Sequence, residues 1–221
     1  MKLKKVKPNE QIYILFVGGC KSKMNLVKIK QILVDEMYGK VQWSGEKSGK
    51  YYHGERVAKI ALTLKKHILP NNDSHDDIIT VAGWFHDVMN GAEEHALAGA
   101  EKTKILLSDH CSEWEMNEIY DIIYRHDDRY SDRASFSDYA KIQQDADHLD
   151  HFGTYQIWGN ILWGAHNDNT VAEANEEIQK WAEKSVTERV ENELNFDISK
   201  KIYRERIEFY CLFAERFSVE I

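Results

Sequence analysis

Apolar residues recur along most of the chain at the three- and four-residue spacing of amphipathic helices. In the first such segment, Leu26, Ile29 and Leu33 fall on one helical face behind Asn25, a residue type that caps helices. Apart from a short N-terminal segment, no stretch shows the alternation typical of strands. The pattern therefore predicts an all-α protein. Helices are expected at about residues 25–37, 51–68, 75–89, 92–107, 112–126, 137–164, 171–194 and 199–217.

Residues 1–24 differ from the rest, because several lysines precede the apolar segment IYILFV. That segment predicts a short extended arm, since the apolar region of a signal peptide is usually about 7–15 residues long. Met24 is an alternative start of the chain. We expect residues 25–221 to form a single helical domain. The sequence has no apolar span of about 20 residues that could cross a membrane.

Composition narrows the functional classes. The 221 residues are 43% hydrophobic and 30% charged with only two prolines, which is typical of a soluble, helix-rich globular protein. A net charge of -8 disfavours a stable nucleic-acid partner, because phosphate backbones require clustered Lys and Arg. Cys20, Cys111 and Cys211 are odd in number and widely spaced, which indicates reduced thiols and a cytoplasmic location rather than a disulfide framework.

An ionisable doublet, His86 and Asp87, interrupts the apolar run IITVAGWFHDVM. Burying such groups costs several kcal/mol unless a partner takes them up, and a metal ion is one such partner. His53 lies on the inward face of an earlier helix and Asp147 on a later one. Two imidazoles and two carboxylates suit Mn, Fe, Co, Zn or Mg. The alternative is that each His is a hydrogen-bonded core residue and each Asp a helix cap or ion-pair member.

Three motifs carry a family resemblance: YYHGERVAKIA, then AGWFHDV, then DADHLDHFG. Their order resembles that of the HD superfamily of metal-dependent phosphohydrolases, over about residues 25–165 with a motif core at about 51–165. The resemblance implies an HD-domain helical bundle, here with additional C-terminal helices. It also implies that Asp147 is the late metal ligand, with Asp145 in reserve, and that Asp150 orients a neighbouring group.

Some HD proteins hold two metals through two further histidines, and His95 and His126 resemble those positions. A second metal there is one interpretation; contact with substrate phosphate is the other, because the loop between Asp87 and His95 is short for the two-metal branch. Glu93 and Glu94 stand where some members carry the acidic residue that positions the attacking water. Alternatively, they form a negatively charged first helical turn.

The resemblance implies that metal-activated water hydrolyses a small phosphorylated compound, with nucleotides as the expected substrate class. Asp87 is then expected between metal and water. Arg56, Arg125 and Arg129 are the expected phosphate contacts, because guanidinium groups bind phosphate bidentately; alternatively, Arg56 pairs with Glu55 or Asp87.

The polar loop at residues 127–135 is expected to border the pocket. Two other functions stay open: a diiron oxygenase of the HD fold, and a metal-containing ligand-binding protein without hydrolytic activity.

Overall fold

The computed structural model describes residues 24–42, 44–187 and 190–221, so the predicted arm lies almost entirely outside the described part. Within it, the all-α prediction is confirmed: the elements are helices, apart from one isolated bridge between Val41 and Lys47. The first five helices are α1 (Leu26–Met37), α2 (Gly49–Ile68), α3 (Asp76–Phe85), α4 (His95–Leu106) and α5 (Glu113–Arg125). After a 3-10 turn at Arg133–Ser135 come α6 (Asp138–Asp150), α7 (Thr154–His166), α8 (Val171–Thr187), a second 3-10 turn at Val190–Glu193, and α9 (Asp197–Glu220).

The prediction of one long helix at 137–164 is wrong, because the helix is interrupted between α6 and α7. Gly153 has a φ of 93°, a left-handed conformation that no α-helix accommodates and that glycine adopts readily. Apolar residues keep helical spacing on both sides of the break, so the pattern alone is continuous across it. The break makes α7 a separate helix, which packs against α8 and α9.

Three predicted boundaries also need correction. The helix at 75–89 ends at Phe85, so His86 and Asp87 follow α3 instead of occupying its last turn. The helix at 92–107 begins only at His95, because Glu94 adopts a left-handed φ of 49°. The helix at 171–194 ends at Thr187 and is followed by the second 3-10 turn.

Two apolar clusters form the main core of the helical bundle. In one, α3 packs with α1, α4 and α5; in the other, α2 packs with α6 and α9. Helix α3 faces both clusters, because Ile78 belongs to the first and Ile79 to the second. A third cluster joins α8 to α9 through Ile178 and Tyr210. The central position of α3 places the segment that follows it, with His86 and Asp87, deep in the protein.

Helices α2 and α3 approach closely because both have glycine at their contact. A Cβ atom built on Gly54 would lie 2.7 Å from the Trp84 carbonyl oxygen, and one on Gly83 would lie 2.7 Å from the Ala58 Cα. His53 precedes Gly54 and His86 follows Gly83 by three residues. The glycine contact therefore sets how near the two imidazoles can come.

Asp145 has a structural role in α6. It is fully buried, and its carboxylate accepts hydrogen bonds from the backbone N–H groups of Asn195 and Phe196 and from the Asn195 side chain. These bonds fix the chain just before α9. Because its oxygens are used there, Asp145 is not the late ligand, and the reserve interpretation is wrong.

We expect Gly54→Ala to lower the free energy of unfolding by about 1–3 kcal/mol, because the new methyl group would push α2 away from the backbone of α3. Gly159→Ala is the matched control: Gly159 lies inside α7 with nothing within 4 Å of a built Cβ. It should raise stability by about 0.5–1 kcal/mol, as alanine favours helices. Urea unfolding measures both, and an unaffected Gly54→Ala protein would contradict the close-contact account.

Candidate metal centre and adjoining cavity

Three helices bring four ionisable side chains together. The His53 Nε2 atom lies 3.1 Å from His86 Nε2 and 3.1 Å from Asp147 Oδ1, and His86 Nε2 lies 3.4 Å from the same oxygen. Asp87 Oδ2 is 3.7 Å from His53 Nε2 and 3.8 Å from His86 Nε2. Ligand atoms that each lie about 2.1 Å from one ion are separated by about 3–3.5 Å. His53, His86 and Asp147 therefore fit a single divalent ion, with Asp87 somewhat farther from both rings.

Hydrogen bonds on the outer side of each ring fix which nitrogen faces the centre. The Nδ1–H group of His53 donates to Asp150 Oδ2 at 2.8 Å, and that of His86 donates to the Gly83 carbonyl oxygen at 2.9 Å. His126 repeats the arrangement with the Ile123 carbonyl oxygen at 2.6 Å. In the neutral form that keeps its one N–H on Nδ1, each ring would present its Nε2 lone pair to the interior. Anchored histidines of this kind are typical of metal ligands.

Asp87 stands between two groups of donors. Its Oδ2 atom faces His53 and His86, whereas its Oδ1 atom lies 3.9 Å from the Nε2 atoms of both His95 and His126. The distances to His95 and His126 are longer, and His95 is partly exposed. A second candidate group therefore consists of His86, Asp87 and His126, with His95 farther out.

The charges in the centre reinforce one another. Burial would raise the pKa values of Asp87 and Asp147, but the neighbouring histidines, and Lys50 in the case of Asp87, hold both well below the usual range. Burial, together with the proximity of His86, lowers the pKa of His126 to about 4, so His126 is neutral at pH 7. Anionic carboxylates and a neutral imidazole are the forms that bind metal ions.

Asp150 supports the centre from behind, as the resemblance implies. Besides His53 it binds Arg56, whose Nε and guanidinium nitrogens contact both carboxylate oxygens at 2.8–3.1 Å. Hydrogen bonds from His53 and Arg56 outweigh burial and lower the pKa of Asp150. The Arg56 guanidinium also stacks on Tyr155, 3.5 Å from the ring centre. The ion-pair partner of Arg56 is therefore Asp150, and not Glu55 or Asp87.

The other predicted cations are also engaged. Arg125 pairs with Asp121 at 2.6 Å and lies over the Phe136 ring. Arg129, on the polar loop, donates to the Gln144 carbonyl oxygen at 2.9 Å and lies 3.4 Å from Asp147 Oδ2. The loop thus reaches the centre through Arg129.

Glu93 and Glu94 are exposed, and the first-turn interpretation is wrong because they precede α4. Within the described residues, no ion pair links either carboxylate to the centre.

A cavity of about 720 Å³ opens beside His53. Its walls come from the segment before α2, from the end of α6, and from α7 and α8. Lys50 lines it and donates to Asp87 Oδ2. Our sequence reasoning missed Lys50, although its position three residues before His53 places both on one helical face. His148 and His151 also line the cavity, and the Nε2 atom of His148 is buried with no partner among the described residues.

Comparison with known proteins identifies the helical core. Residues 51–151 match the family model described as HD domain. The crystal structure of Bacillus subtilis YpgQ in complex with ADP has a TM-score of 0.59 at 18% identity, covering 89% of this chain and 98% of that chain. An HD-superfamily hydrolase from Bacillus thuringiensis has a TM-score of 0.57 at 23% identity, covering 88% and 97%. A predicted HD superfamily hydrolase from an uncultured Thermotogales bacterium has a TM-score of 0.57 at 20% identity, covering 89% and 93%. At these identities the structural similarity establishes the fold alone. No curated protein matches the sequence.

We expect Asp150→Asn to weaken metal binding by about 10–100-fold, because the carboxylate that orients His53 is lost while every direct donor stays. Titration of the metal-free protein with Mn²⁺ or Co²⁺, followed by calorimetry, measures the change. Asp138→Asn is the matched control, since Asp138 is exposed in the first turn of the same helix. Equal affinities of the two variants would contradict the supporting role of Asp150.

Proposed function

Because residues 51–151 match the HD domain model, we propose that this protein is a metal-dependent phosphohydrolase acting on a small phosphorylated compound, a nucleotide in particular. One observation carries the proposal: the Nε2 atoms of His53 and His86 face each other at 3.1 Å, beside Asp147. Two lone pairs at that distance repel unless a proton or a cation lies between them. A centre built in this way favours a bound ion over a purely structural role.

We assign His53, His86, Asp87 and Asp147 as ligands of a divalent ion, one of Mn, Fe, Co, Zn or Mg. When bound, the ion supplies Lewis-acid chemistry and lowers the pKa of water, so that hydroxide attacks phosphorus at neutral pH. A second ion using His95 and His126 is part of the proposal, supported by the Oδ1 atom of Asp87, which faces both.

Proton transfer falls to residues of the centre. Asp87 lies at the junction of the two donor groups and can orient the attacking water, and His126 is neutral and can accept its proton when no second ion binds there. His95 is partly exposed and can exchange protons with solvent. Glu93 and Glu94 directly precede His95 in sequence but are exposed, which favours the histidines over them.

The cavity supports a nucleotide-sized substrate. Its volume of about 720 Å³ falls in the usual range for small-molecule sites, about 300–1,000 Å³. Trp163 and Trp181 line it, and Lys50 borders both the cavity and Asp87. Bacillus subtilis YpgQ, which has the same fold, has been crystallised with ADP. Among the three arginines, Arg129 lies nearest the centre and is our first choice as a substrate cation.

The remaining partner predictions concern nucleic acids and membranes. A net charge of -8 continues to disfavour a stable nucleic-acid partner. Among the described helices, none is long and apolar enough to traverse a bilayer.

We expect the metal-loaded protein to release phosphate or pyrophosphate from nucleotides, and His86→Ala to reduce turnover by at least about 100-fold. His67→Ala is the matched control, because His67 is exposed at the far end of α2. Helical circular dichroism should stay unchanged in His86→Ala and after chelation, since none of the proposed ligands belongs to the apolar clusters.

Other outcomes identify the alternatives. Stoichiometric iron with oxygen-dependent turnover would establish the oxygenase. A metal-loaded protein that binds nucleotides but hydrolyses nothing across a broad phosphate panel would establish the ligand-binding function. Loss of helical signal on chelation would make the ion structural.

A further inference from the structure

We propose that the cavity holds its substrate in one orientation, with the phosphate group beside Lys50 and a flat aromatic ring against Trp163 and Trp181. This inference rests on the proposed function and extends it, because it names the residues that select the substrate. All three residues lie outside the part of the chain that matches the HD domain.

One face of α7 forms a long wall. Tyr155, Gly159 and Trp163 recur at four-residue spacing, and all three line the cavity. Eight residues of helix span about 12 Å, so Trp163 lies about that far along the axis from Tyr155. Tyr155 marks the end near the centre, because it stacks on Arg56, which binds Asp150. Trp163 therefore lines the end of the cavity remote from the centre.

Helix α8 runs back along this wall. Gly164, near the end of α7, packs against Ala174 near the start of α8, with 3.3 Å between a built Cβ and the Ala174 Cβ. Trp181 lies seven residues after Ala174, about 10 Å further towards the centre. Trp181 thus lines the middle of the cavity and Trp163 its far end. Indoles are the strongest stacking partners for flat rings.

Lys50 marks the opposite end. Its ammonium group contacts Asp87, and Lys50 lines the cavity, whereas Arg56, Arg125 and Arg129 are not among the lining residues. An ammonium group has three donors, so Lys50 can bind Asp87 and a phosphate oxygen at the same time. The cavity therefore has an ammonium group beside the centre and two indole rings away from it, where Lys184 lies over the Trp181 ring. Three carboxylates, Glu46, Glu177 and Glu193, also line it.

The test uses two non-hydrolysable ligands that differ only in the nucleoside: α,β-methylene-ADP and methylenediphosphonate. Calorimetry measures their binding to the metal-loaded protein. We expect Trp163→Leu and Trp181→Leu each to weaken binding of the nucleotide analogue about tenfold and to leave methylenediphosphonate binding unchanged. Lys50→Met should weaken binding of both ligands about tenfold. Trp163→Phe and Trp181→Phe, which keep a ring, should retain most of the affinity.

Matched controls come from the same helices. Trp158 is 51% exposed on α7 and is not part of the cavity wall, and Lys66 is exposed on α2. Trp158→Leu and Lys66→Met should bind both ligands like the unaltered protein. Metal content and thermal unfolding, measured on every variant, identify a variant that has lost its fold; the Phe variants then decide.

The inference is overturned if the tryptophan variants bind both ligands as tightly as the unaltered protein, if they lose both ligands equally, or if the unaltered protein does not prefer the nucleotide analogue. Failure of the proposed function is a separate result, because binding is measured without turnover. A protein that shows the binding pattern but hydrolyses nothing would retain the orientation and lose the hydrolase assignment.

Discussion

The structure depends on burying three imidazole rings without leaving any N–H group unpaired. A helical interior offers few acceptors, because its carbonyl groups are used within the helices. His86 and His126 each follow the last residue of a helix and use the carbonyl group three residues earlier, whereas His53 lies within α2 and needs the Asp150 carboxylate. Each ring therefore directs its Nδ1 atom to a hydrogen-bond acceptor on the outer side. The inner lone pairs converge, and burial makes a cation the natural means of relieving their repulsion.

Helix ends are thus as important as helix faces. His86 and Asp87 can both point to one centre because α3 ends at Phe85; adjacent residues inside a helix would diverge by about 100°. The same holds for His95, which begins α4 after the left-handed Glu94. A non-glycine residue with positive φ is uncommon and is often found where function requires a particular geometry. Here the left-handed conformation of Glu94 allows α4 to begin at His95 with the His95 side chain near Asp87.

Helical periodicity was enough to predict the all-α fold and the inward placement of His53, His86 and Asp147, because each lies on or beside an apolar stripe. It could not reveal the break at Gly153, since apolar spacing continues across it, or the separate role of Asp145, whose partners Asn195 and Phe196 are fifty residues away. The cavity was equally inaccessible, because its walls come from segments distant in sequence. Lys50 was missed although it could have been predicted, because its three-residue spacing from His53 places both on one helical face.

The centre and the cavity follow different physical constraints. Residues of the centre are buried and mutually paired, so changing one leaves an unpaired charge or lone pair in the interior, at a cost of several kcal/mol. The walls formed by α7 and α8 are partly exposed and make few polar bonds that the centre needs, so they can change without disturbing it. A fold arranged in this way can keep one reaction while its substrate varies. Lys50 joins the two parts, because the same ammonium group contacts Asp87 and borders the space that the substrate would occupy.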